Sequence, residues 1–209
     1  MTKSTDPDRR NSGSSYEDEL AQSFPAVLRE ADALYEGRGR LQKTYDRLAS
    51  RLDQAGIAYS LVGGYALILH GVRRFTEDID LLVRPKSLRL LTEELVVRGY
   101  ARIPDVERSI RDSETGIRID FVMAGQFPGD GKPKPIVFPD PASFGVSEDG
   151  VRVVDLTTLI ELKLASGMTG AGRLQDLADV QRLAEVHRLG EDFAQRLNPY
   201  VRKKFLEIR

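Results

Sequence analysis

The most constraining feature of this chain is a glycine pair, Gly63-Gly64, followed at short range by two aspartates, Asp78 and Asp80. The segment 77–83 is predicted as a β-strand because its apolar residues alternate with other positions. Side chains of a strand alternate with period two, so the two aspartates project from one face, roughly 6–7 Å apart. Two carboxylates this close repel each other unless a positive charge lies between them. A divalent cation with oxygen ligands would supply that charge.

The glycine pair lies where a predicted strand at 57–62 gives way to a predicted helix at 64–71. Glycine adopts the tight conformations of such a turn, and the backbone amides of the turn are able to approach a phosphate. A phosphate-binding turn beside a metal-binding carboxylate pair indicates phosphoryl or nucleotidyl transfer.

The order of these motifs resembles the nucleotidyltransferase superfamily typified by DNA polymerase beta. The longer match runs from the glycines to Arg74-x-Thr76-x-Asp78-x-Asp80 and is similar to the bacterial minimal and abortive-infection-toxin branches. The resemblance implies an α/β (α+β) fold, with a short mixed sheet flanked by helices. It also implies an enzyme that moves NMP from an NTP to a hydroxyl, with Asp78 and Asp80 holding Mg²⁺ (or Mn²⁺).

In that superfamily a third carboxylate comes from a neighbouring strand, and the candidate here is Asp120. In the predicted strand 116–123, the apolar residues Ile117, Ile119 and Phe121 form one face. Asp120 projects from the other face, beside Arg118. The resemblance makes Asp120 the third metal ligand, and the alternative is an ordinary strand aspartate paired with its arginine neighbour.

Other residues before the carboxylates are candidates for nucleotide binding. The resemblance implies that backbone amides of Gly63 and Gly64 hold phosphates, since many members of the superfamily have Gly-Ser and Gly64 lacks that hydroxyl. Arg74 would neutralise a triphosphate, and Thr76 would shape the turn before the strand. A solvated arginine is the ordinary alternative for Arg74.

The C-terminal third carries a second signal. A helix predicted at 156–166, with Asp155 as its N-cap, places Lys163 on a stripe with apolar residues. A lysine on such a face extends its ammonium group to solvent or finds an anion. Asp176 and Asp179 share one face of the next helix, and the combination is similar to the lysine and aspartate motifs of the abortive-infection branch. That resemblance implies that Lys163 contacts the nucleotide phosphates and that Asp176 or Asp179 orients Lys163 or the acceptor. The alternative is a buried Lys–Asp ion pair that fastens these helices to the sheet.

Composition excludes several other kinds of site. There is no cysteine, which excludes disulfides, cysteine nucleophiles and thiolate zinc sites. Two histidines are too few for a histidine-rich metal site, and 31 basic against 32 acidic residues give no overall nucleic-acid signature. No apolar run approaches the roughly 20 residues of a membrane span. We therefore expect a cytoplasmic protein with no membrane partner.

We expect four parts along the chain. They are a disordered tail at 1–15, N-terminal helices at 16–55 that pack on the core, the nucleotidyltransferase core at 56–155, and a small C-terminal helical cap at 156–209. Within the core, further elements are predicted as a helix at 86–98 and strands at 101–103, 106–111 and 151–154. The Gly- and Pro-rich segment 125–145 is predicted as a long loop whose role the sequence leaves open.

Three acceptor classes stay open. RNA, especially a tRNA 3′ end, is suggested by the toxin-like branch and by the basic residues of 198–209. A protein hydroxyl would fit a toxin–antitoxin pair, and a small molecule such as an aminoglycoside would use 125–145 as a lid. A different class of function is a catalytically inactive nucleotide- or partner-binding module on the same fold.

Overall fold

The computed structural model describes residues 15–145 and 150–209, so the tail predicted at 1–15 lies almost entirely outside the described residues. The N-terminal helices are α1 (Tyr16–Gln22), α2 (Phe24–Tyr35) and α3 (Arg40–Gln54). Within the segment 16–55 that was predicted as helical, α1 and α2 are divided at Ser23, whose hydroxyl accepts a hydrogen bond from the Ala26 amide and caps α2. Pro25 lies in the first turn of α2, where its missing N–H is tolerated.

A mixed sheet follows in the described part of the chain. Its strands and intervening helices are β1 (Tyr59–Val62), α4 (Gly63–Leu69), β2 (Asp78–Val83), α5 (Leu88–Val96), β3 (Tyr100–Ile103), β4 (Val106–Asp112) and β5 (Arg118–Met123). The order across the sheet is β1-β2-β5-β4-β3. Strands β2 and β5 are parallel, and the other neighbouring pairs are antiparallel.

The C-terminal helices are α6 (Leu156–Gly167), α7 (Leu174–His187), α8 (Glu191–Arg196) and α9 (Pro199–Ile208). Asp155 caps α6, as predicted, because its carboxylate accepts a hydrogen bond from the Thr158 amide at 2.9 Å. Helix α6 packs on α7 and α9, and the described residues include no helix long and apolar enough to cross a membrane.

The two faces of the sheet are buried in two separate clusters. Ile79, Leu81 and Val83 of β2 point into a cluster that includes residues of the N-terminal helices and α5. Leu82 points the other way, into a cluster with α6, α7 and α9. Since strand side chains alternate, Asp78 and Asp80 share the second face with Leu82. The fold thus turns the predicted carboxylates toward the C-terminal helices.

Two segments of the core, 151–154 and 125–145, are not regular helices or strands over their length. The strand predicted at 151–154 is reduced to a parallel bridge between Val153 and Leu61, in which the Val154 amide donates to the Leu61 carbonyl at 3.0 Å. The loop at 125–145 has a packed arrangement of its own. Gly125 and Phe138 are joined by an amide–carbonyl hydrogen bond of 2.7 Å, and Ile136 is buried in the cluster with α6.

Candidate active site

Three carboxylates converge at one end of the sheet. Asp80 on β2 stands directly opposite Asp120 on β5, and Asp78 lies two residues before Asp80 on the same face. One carboxylate oxygen from each of the three lies within 4.8 Å of the others, and all three side chains are half-buried. Oxygen donors so close together, with an excess of negative charge, suit Mg²⁺ or Mn²⁺. The residues present therefore fit the metal that the sequence implies.

Position 63 requires glycine because its backbone lies close to the Asp80 carboxylate. Its φ of +68° lies in the left-handed region, and a Cβ at this position would overlap the Asp80 carboxylate. The amide of the next residue, Gly64, hydrogen-bonds to the same carboxylate. The glycine pair thus packs against Asp80 and holds its carboxylate in place.

The environment of Asp80 disfavours its charged form. Burial, followed by the charges of Asp78 and Asp120, raises the pKa of Asp80 to about 7, while Lys163 and the Gly64 amide act in the opposite direction. Such a carboxylate becomes fully charged at neutral pH only if a cation offsets the repulsion. The electrostatics of the cluster therefore agree with its ligand chemistry.

Asp120 is held by two neighbours. The Arg118 guanidinium donates a hydrogen bond of 2.8 Å from Nε to Asp120 Oδ1, and the hydroxyl of Ser109 donates to the same oxygen. Both neighbours are strand residues, since Ser109 on β4 is the register partner of Asp120. The sequence pointed to Arg118 but not to Ser109, because the partner of a strand residue on another strand depends on the register.

Lys163, Asp176, Asp179 and Arg74 form one ion-pair network. Lys163 Nζ lies 2.9 Å from Asp176 Oδ1 and 2.8 Å from Asp179 Oδ2, and Arg74 Nη1 donates to Asp179 Oδ2 at 2.7 Å. Asp179 has no exposed surface. Burial opposes ionisation of Asp176, but Lys163 and a hydrogen bond from Ser166 outweigh it, so the pKa of Asp176 is lowered.

A cavity of about 540 Å³ opens over these groups. Its lining includes most of the residues predicted from the sequence, namely Gly63, Gly64, Arg74, Thr76, Asp78, Asp80, Lys163 and Asp176. Asp120, which stands opposite Asp80, and Asp179, which is paired with Lys163, are not among the lining residues. The cavity is completed by residues that the sequence reasoning missed, and these come from β4, from the loop after β5 and from the start of α7: Arg108, Gln126, Phe127, Arg173 and Gln175.

The cavity combines two kinds of charge. The carboxylates of Asp78 and Asp80 lie on the sheet, while the ammonium of Lys163 and the guanidinium groups of Arg74 and Arg173 lie toward the C-terminal helices. A cation at the sheet and an anion between it and the helices would satisfy both sets. The arrangement can accommodate a metal-bound phosphate chain.

Comparison with known proteins gives a structural likeness. No family model and no curated protein matches the sequence. A crystal structure of ANT(2″)-Ia in complex with adenylyl-2″-tobramycin is similar at 12% sequence identity and a TM-score of 0.52, over 79% of this chain and 96% of that chain. A solution structure of the antibiotic-resistance factor ANT(2″)-Ia is similar at 11% identity and a TM-score of 0.48, over 78% and 86% of the two chains.

At this identity the likeness concerns the fold alone. The likeness extends over nearly all of the chain in the ANT(2″)-Ia crystal structure. The short mixed sheet with flanking helices agrees with that architecture. The chain therefore has a nucleotidyltransferase-like fold, which confirms the fold predicted from the sequence, a short mixed sheet flanked by helices.

Proposed function

We propose that this protein is a metal-dependent nucleotidyltransferase that moves NMP from an NTP to a hydroxyl acceptor. The observation that carries the proposal is the convergence of Asp78, Asp80 and Asp120, with one carboxylate oxygen of each within 4.8 Å of the others, beside a cavity that the first two line. The acceptor oxygen would attack the α-phosphorus, form a new P–O bond and displace pyrophosphate. The acceptor gives up its proton in the same reaction.

Each residue of the cluster has a distinct task in this proposal. Asp78 and Asp80 would hold the divalent cations, which when bound neutralise the attacking and leaving oxygens of an in-line displacement. Asp120 would complete the ligand set and help to remove the acceptor proton. Its Oδ1 is occupied by Arg118 and Ser109, so the second carboxylate oxygen is the one that serves these roles.

The phosphate chain would lie between the glycine pair and the C-terminal helices. Backbone amides at Gly63 and Gly64 are the proposed contacts on one side, with the Gly64 amide shared with Asp80. Lys163 and Arg74 are proposed contacts on the other side. The charges of Lys163 and Arg74 are partly balanced by Asp176 and Asp179. These two aspartates would therefore hold the lysine and arginine side chains in place rather than touch the nucleotide.

The acceptor is proposed from three classes. A small molecule is favoured by the likeness to a structure that holds adenylyl-2″-tobramycin. RNA, including a tRNA 3′ end, is favoured by Arg108, an exposed residue of the cavity lining, since phosphates bind arginine well. A protein hydroxyl within a toxin–antitoxin pair is the third class. Each of these would place the activity in a compartment that contains NTP and Mg²⁺, and we propose the cytoplasm.

The test is transfer of label from NTPs carrying ³²P at the α-phosphate. Purified protein with Mg²⁺ or Mn²⁺ is incubated with each common NTP and a total cell extract, and the RNA, protein and small-molecule fractions are then separated. Label that enters one fraction with wild type, and not with the Asp78→Ala/Asp80→Ala variant, supports the proposal and identifies the acceptor class. An Asp46→Asn variant, changed on an exposed face of α3, is the matched control.

A second candidate is a nucleotide- or partner-binding module without turnover. The observation that favours it is the ion pair between Arg118 and Asp120, which partly neutralises the third carboxylate. This candidate predicts NTP binding without transfer to any fraction. Equilibrium dialysis with labelled NTP, run beside the transfer assay, separates the two candidates.

A further inference from the structure

The hydroxyl of Thr76 fills the space where a side chain at position 64 would lie. A Cβ built on Gly64 would be 2.5 Å from Thr76 Oγ1 and 3.1 Å from Thr76 Cβ. Gly64 lies inside α4, so its helical backbone imposes no need for glycine. The absence of a side chain at position 64 is therefore explained by the threonine that packs over it.

Thr76 also contacts one of the three clustered carboxylates. Its Oγ1 donates a hydrogen bond of 2.9 Å to Asp78 Oδ1. The side chain is only 6% exposed, yet it lines the cavity beside Gly64 and Asp78. A buried hydroxyl with a defined partner has a fixed position, because leaving it unpaired would cost free energy.

Each carboxylate of the cluster is held by a donor from a different segment. Asp80 accepts from the Gly64 amide, and Asp120 accepts from Ser109 and Arg118. Thr76 serves Asp78 in the same way, from the segment just before β2. The three carboxylates repel one another, and each donor offsets part of that repulsion because a hydrogen bond to a carboxylate favours its charged form.

We propose that Thr76 is a positioning residue: its hydroxyl, lodged over Gly64, aims the Asp78 carboxylate at the shared cation site. This proposal rests on the proposed function and goes beyond it, because it assigns the task to the hydroxyl itself. Groups that orient metal ligands commonly change metal affinity by 10–100-fold when they are removed. Gly64 and Thr76 then act together, because the space between them holds one hydroxyl and that hydroxyl belongs to position 76.

This joint role can be tested by moving the hydroxyl from one position to the other. In Gly64→Ser/Thr76→Ala, the new serine places its hydroxyl close to the position that Thr76 Oγ1 leaves. Gly64→Ala/Thr76→Ala supplies the same Cβ without the hydroxyl and is the matched control. Thr76→Ser and Thr76→Val separate the hydroxyl from the shape of the side chain.

The readout is binding of Mn²⁺ without NTP, measured by electron paramagnetic resonance, with thermal unfolding of every variant in parallel. We expect Thr76→Val and Thr76→Ala to weaken Mn²⁺ binding by about 10–100-fold. Thr76→Ser should bind like wild type, and Gly64→Ser/Thr76→Ala should recover most of the lost affinity. Gly64→Ser alone should lower the unfolding temperature, since its Cβ collides with Thr76.

Two results would overturn the proposal. One is Mn²⁺ binding by folded Thr76→Val within twofold of wild type, and the other is equal recovery by the serine and alanine double variants. Failure of the proposed function looks different, because wild-type protein would then transfer no label while the Mn²⁺ affinities of the variants still decide the role of Thr76. Wild-type protein that binds no Mn²⁺ would overturn both proposals. If Thr76→Ala does not fold, the comparison of Thr76→Val with Thr76→Ser decides the outcome.

Discussion

The ammonium group of Lys163 lies 2.8 Å from a carboxylate oxygen of Asp179, a side chain with no exposed surface. Gln175 donates to the other oxygen of Asp179 at 3.0 Å, and Arg74 reaches the first oxygen from the segment before β2. The pair therefore joins α6, α7 and that segment. This geometry agrees with one interpretation of the sequence, a buried ion pair that fastens the C-terminal helices. Lys163 nevertheless also lines the cavity.

The first prediction concerns this ion pair. Asp179→Asn removes one partner of a buried pair, which usually costs about 3–5 kcal/mol of unfolding free energy. We expect the low end, about 3 kcal/mol, because Lys163 keeps Asp176 as a partner. Urea unfolding measures the change, and Glu185→Gln on an exposed face of α7 is the control. A loss equal to that of the control would mean that the pair contributes little to stability.

The second prediction concerns repulsion within the carboxylate cluster. Asp80→Asn should abolish nucleotide transfer, since it removes a charged ligand from the cation site. In EDTA at pH 8, however, it should leave the unfolding free energy unchanged or increase it, because Asp78 and Asp120 lose a like-charged neighbour. Transfer assays and urea unfolding of the same preparation test both parts. Undiminished turnover in the variant would contradict the proposed mechanism.

The sequence was sufficient to predict the sheet residues of the site. Local motifs placed Gly63, Asp78 and Asp80 because strand periodicity and the turn fix their relative positions within a short segment. Asp120 is distant in the chain, and its place beside Asp80 depends on the parallel pairing of β2 with β5. The resemblance supplied that pairing, since the sequence pattern of β5 specifies only which of its faces is apolar.

The rest of the site depended on tertiary packing. Arg108 and Gln126 border the cavity because β4 and the loop after β5 meet there, where the Arg108 guanidinium donates to the Gln126 amide oxygen at 2.8 Å. Neither residue belongs to a motif, and loop conformation has no periodicity to read. Likewise, the proximity of Gly64 and Thr76 depends on how α4 lies against the start of β2.

The third prediction concerns pH. Burial lowers the pKa of His70 below its ordinary 6.5, and the nearby His187 acts in the same direction. The Nε2 atom of His70 donates a hydrogen bond of 2.8 Å to the Val154 carbonyl. The unfolded chain binds a proton more readily, so this residue stabilises the fold fully above about pH 6.5 and loses that stabilisation as the pH falls below it. Urea unfolding at pH 7.5 and pH 5.5 should show a smaller acid-induced loss for His70→Gln than for wild type. Equal losses would exclude His70 as the source.

The last prediction concerns the acceptor. Arg108 is exposed on β4, the neighbour of the strand β5 that carries Asp120, and it lines the cavity. Since Asp120 is proposed to receive the acceptor proton, we propose that Arg108 lies on the acceptor's side and the ion-pair network of Lys163 on the nucleotide's side.

Arg108→Gln removes this positive charge without changing the residues proposed to bind the nucleotide. If the acceptor is RNA, the KM for RNA should rise several-fold while the KM for NTP stays constant. The slope of the logarithm of the RNA-binding constant against the logarithm of salt concentration should become shallower by about one unit. Arg102→Gln, on exposed β3 and outside the cavity lining, is the matched control. A polycationic acceptor such as an aminoglycoside predicts the opposite sign, because Arg108 repels it and its loss lowers the KM. The direction of the change in KM therefore assigns the charge of the acceptor, and an unchanged KM for every acceptor would remove Arg108 from the acceptor site.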